Sequence, residues 1–131
     1  MLNDPAFKLG QQADAEPNKE EKLTLYQRAF EAVPEPKQEW PPILWLCCSI
    51  AGLLKEKADY KGALAMLDFG QTCVDGDTDS GLHFDLGRLY LDHFEDQAKA
   101  RYHFDVSWKS SEGRSFRTAD RRYLDFYQSA A

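Results

Sequence analysis

Side chains able to do chemistry are few and scattered in this chain of 131 residues. Three histidines, His83, His93 and His103, stand ten residues apart. Along one continuous helix each step of ten rotates the side chain by about 280° net, so the three do not share a face. No His-Glu-x-x-His accompanies them. They are expected as surface or interhelix histidines. Cys47, Cys48 and Cys73 lack the Cys-x-x-Cys spacing of a zinc site, and free thiols pack like small hydrophobes, so they read as buried. Cys47 and Cys48 are adjacent and would point in different directions on a helix, which disfavours a bridge and makes a reducing cytoplasm the default. The run Asp75-Gly76-Asp77-Thr78-Asp79-Ser80 opens like a calcium loop, but Ser80 replaces the glycine of the sixth place and Leu86 stands where a bidentate glutamate belongs. It reads as an acidic turn that caps the next helix, with ion contact left open. A glycine-rich phosphate loop and a Gly-x-Ser-x-Gly elbow are both missing from the sequence. The expectation is a protein without catalytic residues, metal or cofactor.

The elements that would position these residues follow from an internal repeat. Ile50-Ala51, Leu54, Asp59-Tyr60, Ala63, Leu67 and Gly70 have the spacing of a helical hairpin of about 34 residues, with small residues where its helices touch. Leu9-Gly10, Ala13, Tyr26, Ala29 and Pro34 stand at the same relative places upstream. Leu86-Gly87, Tyr90, Ala100, Phe104 and Trp108 do so downstream, with one extra residue expected in the turn between Phe94 and Gln97. Asp4-Pro5 and Asn18 with Glu21 are helix starts. The reading is all-α: helices over about 4–15, 19–33, 42–56, 60–73, 80–93, 97–110 and 118–128, in one domain spanning 1–131. Its units fall at about 3–36, 44–77 and 80–112, and the helix over 118–128 caps a right-handed superhelical stack of three hairpins. The proline-rich linker Pro34 to Pro42 is expected as an extended loop.

Composition narrows the class of partner. Hydrophobic residues at 43% and aromatics at 13% can fill a core. Twenty-two acids against sixteen Lys plus Arg give a net charge of −6, which argues against a general nucleic-acid binder. The charge is uneven: −6 over 1–80, −3 over 81–96 and +3 over 97–131. The basic cluster Arg114, Arg117, Arg121 and Arg122 is too small for a nucleic-acid tail and reads as a solvated helix face. The longest uncharged run, Trp40 to Leu54, is too short to span a bilayer, and the N-terminus lacks the pattern of a secretory signal. The expected partner is another protein; nucleic acid and membrane are not expected, and the chain is expected to be a monomer or weak homodimer.

In a stack of such hairpins the first helix of each pair lines the concave side. The repeat spacing puts Phe7, Gln11 and Asp14 there from the first unit, Trp45, Cys48 and Lys55 from the second, and Phe84, Arg88, Leu91 and Asp92 from the third. Trp45, Phe84 and Arg88 are the expected anchors, with Trp40 on the linker, because aromatic and Arg side chains dominate protein-binding surfaces; packing between helices is the alternative for Trp45 and Phe84. Asp75, Asp77 and Asp79 form a second, acidic candidate.

The three units resemble tetratricopeptide-repeat proteins over about residues 3 to 110, although Asp75 replaces the closing proline of the second unit. Ala32-Val33-Pro34-Glu35-Pro36-Lys37-Gln38-Glu39-Trp40, Ile43-Leu44-Trp45-Leu46 and Arg122-Tyr123-Leu124-Asp125-Phe126 resemble a group of small bacterial tetratricopeptide proteins associated with polymorphic toxin systems. The resemblance implies an immunity protein that binds and sterically blocks a cognate toxin. The alternative is an adaptor or secretion chaperone that cradles an extended client peptide.

Overall fold

A computed structural model describes residues 4–129; residue 3, the expected start of the first unit, lies outside them. Among the described residues the regular structure is entirely helical. The helices are α1 (Pro5–Ala15), α2 (Lys19–Ala32), α3 (Ile43–Glu56), α4 (Tyr60–Gln71), α5 (Ser80–His93), α6 (Gln97–Ser111) and α7 (Arg121–Gln128). They fall into two compact units divided between Val74 and Asp75. The all-α expectation holds, and each unit is described by itself.

Helix starts are written in side-chain oxygens. Asp4 accepts the Ala6 N–H at 2.8 Å and Asn18 the Glu21 N–H at 3.0 Å. Asp59, Asp79 and Asp96 accept from Gly62, Leu82 and Lys99 at 2.9, 2.9 and 3.0 Å. Each satisfies a backbone donor that the first turn leaves orphaned. Only α3 among the seven begins without a side-chain cap; it starts behind Pro42, which needs no N–H partner.

The first unit packs hairpin α1–α2 beside hairpin α3–α4. Ala13, Ala29 and Ala63 are buried, so backbones approach where the repeat placed small residues. Ile43, Leu46, Cys47 and Ile50 form the inner face of α3 against Leu23, Tyr26 and Val33 of the first hairpin. Burial pushes the Cys47 and Cys73 thiols up from their ordinary value, so both stay protonated packing groups at neutral pH. Cys48 is half-buried.

The linker departs from the extended loop expected of its prolines. Lys37–Glu39 is a 3-10 turn, and the Lys37 ammonium donates to the Phe30 and Val33 carbonyls at 2.9 and 3.1 Å. A cation at the open carbonyl end of α2 is favoured by both hydrogen bonding and the helix dipole. The Trp40 indole N–H donates to Asp4 at 2.7 Å, using the carboxylate oxygen that the α1 cap leaves free. The linker folds back onto its own unit.

In the second unit α5 and α6 form the third hairpin. Its turn over 94–96 has the same length as those over 16–18 and 57–59, so the extra residue expected in that turn lies in the last turn of α5 instead. Gly87 lets α6 approach so closely that a Cβ there would lie 2.6 Å from the Phe104 ring. Phe104 is fully buried, with ring centroids of Phe84 and Phe116 both 5.4 Å away and Tyr123 at 5.8 Å. After α6 the chain turns through Glu112 and Gly113 at positive φ into a 3-10 turn, Arg114–Phe116. The last helix starts at Arg121 rather than 118, because Asp120 caps it through the Arg122 N–H at 3.0 Å.

Candidate functional site

On the first unit Trp45 of α3 packs against α1 and α2. Trp45 is 36% exposed, a large value for so big a side chain. Its ring lies over Gly10 of α1, where a Cβ would meet the indole Cη2 at 2.6 Å. The indole is also edge-on to Tyr26, at 6.1 Å between centroids. The Tyr26 hydroxyl donates to Asp14, and burial with this carboxylate beside it pushes the phenol up to about 12. Gly10 and Tyr26 therefore contact Trp45, and Asp14 fixes the Tyr26 hydroxyl. Gln11 and Asp14 are exposed on α1, while Phe7 is half-buried and packs against the core. Cys48 and Lys55 are half-buried on α3.

Trp40 is not part of that surface. It is 5% exposed, and its only polar atom already bonds Asp4. The sequence could not show this, because the partner carboxylate stands 36 residues upstream.

The second unit uses its expected contact residues internally. Phe84, 6% exposed, is a core ring with Phe116 edge-on at 4.8 Å, so it is corrected from anchor to core. Arg88 stacks over Phe84 at 5.1 Å and pairs with Asp85 at 2.5 Å, leaving its buried Nε without a hydrogen-bond partner. Asp92 is gripped by both Arg122 nitrogens at 2.7 and 2.8 Å and by the Tyr123 hydroxyl at 2.5 Å. Burial works against its ionised form, but these hydrogen bonds win and hold the carboxyl below its ordinary value. This cluster ties α7 to α5 and leaves Asp92 little capacity for a partner. Leu91 is half-buried.

The acidic segment divides its labour. Asp79 caps α5, whereas Asp75 and Asp77 are exposed, with Asp75 in the left-handed region at φ 65°. Gly76 between them is buried, and its carbonyl lies 3.0 Å from His83 Nε2.

That contact belongs to a feature the ten-residue spacing concealed. His83 and His103 are both buried, and their Nδ1 atoms lie 2.8 Å apart across the hairpin. Rotation along a single helix says nothing about two helices folded against each other at the 94–96 turn. His93 remains exposed on α5. Among the described residues no three His, Cys, Asp or Glu side chains gather as a metal cluster. No helix among them is long and apolar enough to cross a membrane.

No protein-family model, curated protein or solved structure matches the chain.

Proposed function

We propose that the chain is a tetratricopeptide-type binding module acting as an immunity protein, which covers the working surface of a cognate bacterial toxin domain in the cytoplasm. The observation that carries this reading is the exposed Trp45, seated over Gly10 and braced by Tyr26, with Gln11 and Asp14 exposed on the neighbouring helix. A partly exposed indole on the same unit as exposed polar side chains is what protein-binding surfaces use as an anchor. The resemblance centred on Pro34 to Trp40 supplies the class of partner. Inhibition by steric cover asks for no chemistry from this chain. Its charge of −6 favours encounter with a basic cleft, of the sort that enzymes acting on nucleic acids present.

Coexpression with the C-terminal domain of the protein encoded by the adjacent gene tests the reading. Growth arrest by that domain alone, relieved when this chain is present, supports immunity. A domain that is harmless alone, or one that still arrests growth beside abundant chain, overturns it and leaves the adaptor reading.

A further inference from the structure

We infer that the second unit carries a separate docking groove for an acidic peptide segment bearing an apolar side chain, bounded by Arg117, Arg121 and Trp108. This inference does not rest on the immunity reading. Three observations converge on it.

The first is shape. A cavity of about 370 Å³ opens between the end of α6 and the start of α7, with Trp108, Phe116 and Leu124 as its apolar lining. Gly113 forms part of its wall at φ 82°, directly against the Trp108 ring, where a Cβ would sit 2.9 Å from Cη2. A side chain at 113 would press on that ring, so the glycine keeps it in place as well as permitting the turn.

The second is charge. The other arginines of this unit are engaged: Arg88 with Asp85, Arg122 with Asp92, and Arg101 with the carbonyls of Phe126 and Ser129 at 2.9 and 3.0 Å. Arg114 and Arg117, at the two ends of one 3-10 turn, are exposed and make no ion pair among the described residues. Among the described residues Arg121 pairs with Asp125 at 3.5 Å, and its side chain is 80% exposed. Among the described residues that line the groove, two arginines stand against one carboxylate, Glu112, in a chain whose net charge is −6. The Arg117 guanidinium and the loosely held, exposed Arg121 guanidinium, beside an apolar cavity, complement carboxylates flanking an apolar side chain.

The third is rigidity. Ser115, inside the arginine-bearing turn, bonds the Ser107 hydroxyl at 2.6 Å, and Ser107 donates to the Ser80 carbonyl at 2.8 Å. Ser111 accepts the Ser115 N–H at 3.1 Å and donates to the Ser107 carbonyl at 2.8 Å. Four serines thus fix the turn to α5 and α6, so docking there orders little that is not already ordered. A polyanion such as nucleic acid is the weaker fit, because the long-range field of a −6 chain repels it.

The test is fluorescence anisotropy of the full chain with three labelled probes. One is a peptide of Asp and Glu around a central Phe, the second has Gly in place of that Phe, and the third is a short oligothymidylate. The expected result is binding of the Phe peptide, at least about tenfold weaker for the Gly peptide and for the oligonucleotide, and weakened by salt. A chain with Arg114→Glu, Arg117→Glu and Arg121→Glu should lose the Phe peptide by about tenfold or more, while Lys61→Glu with Arg28→Glu on the first unit should not. Circular dichroism of each variant verifies the fold, which these exposed positions should not disturb. Absence of binding by the Phe peptide, equal binding of the Gly peptide, tighter binding of the oligonucleotide, or indifference to the triple reversal each overturns the groove.

Discussion

His83 and His103 face each other nitrogen to nitrogen, Nδ1 to Nδ1 at 2.8 Å, inside the α5–α6 hairpin. Their ring centroids are 5.0 Å apart, about what two imidazoles joined end to end by one N–H···N bond require. The Gly76 carbonyl can only accept, so His83 carries its proton on Nε2, and its Nδ1 is the acceptor when the ring is neutral. His103 then holds its proton on Nδ1. The pair needs no charge to be satisfied, and it has no room for a proton on both facing nitrogens.

Acid should therefore weaken the fold. Burial, with His83 and Lys99 nearby, lowers the His103 imidazole to about 4 from an ordinary 6.5. A base whose folded value is depressed binds its proton in the unfolded chain first, so stability is full above about pH 6.5 and falls as the pH drops towards 4. The expected loss reaches about 3 kcal/mol by pH 4, at about 1.4 kcal/mol per pH unit of the displacement. Urea unfolding at a series of pH values measures it. His103→Asn, which keeps a donor near the Nδ1 position, should flatten the dependence between pH 6.5 and 4.

Gly87→Ala should destabilise the second unit even though alanine is the better helix former. The new methyl would meet Phe104 at 2.6 Å, and that ring is walled in by Phe84, Phe116 and Tyr123. Overpacking of about 1–3 kcal/mol outweighs a helix-propensity gain of about 1 kcal/mol. A lowered thermal midpoint in calorimetry is the expected reading.

Gly10→Ala provides the contrast. There the atom in the way is the far edge of a partly exposed indole, which can swing outward. Stability should change by less than about 1 kcal/mol, while Trp45 moves off its seat and partner affinity falls. Denaturation and binding measured on the same variant separate the two effects.

Asp92→Asn should loosen α7. The change removes the charge that holds Arg122 and Tyr123, at a cost of about 1.5–3 kcal/mol for charge-assisted hydrogen bonds, with the low end expected because Arg122 is half exposed. Faster amide exchange over 121–128, with the α3–α4 hairpin unchanged, is the readout.

The helical hairpins were legible because small residues recur where helices touch: Ala51, Ala63 and Gly87 are buried where the repeat put them. Caps were legible for the same local reason, since Asn18 and Asp79 act on residues three positions away. Side-chain exposure was not. Trp40 and Phe84 are buried by groups distant in sequence, Asp4 for the first and the Phe104–Phe116–Tyr123 cluster for the second. The Lys37 ammonium closes α2 through carbonyls seven and four residues upstream, a contact that the linker's prolines do not signal. The histidine pair is hidden in the sequence because helical rotation does not carry across a turn. Trp45 is partly exposed and rests on Gly10, a seat that a side chain at that position would occupy.

The most direct test of the binding account is calorimetric titration of the toxin domain with the chain and with its Trp45→Ala variant. The account predicts a tight complex, weakened by about 2 kcal/mol or more, roughly thirtyfold in Kd, by the loss of the indole. Gln11→Arg, at an exposed position beside it, should weaken binding without lowering the thermal midpoint. Unaltered affinity in both variants, or no complex with the unaltered chain, would contradict it.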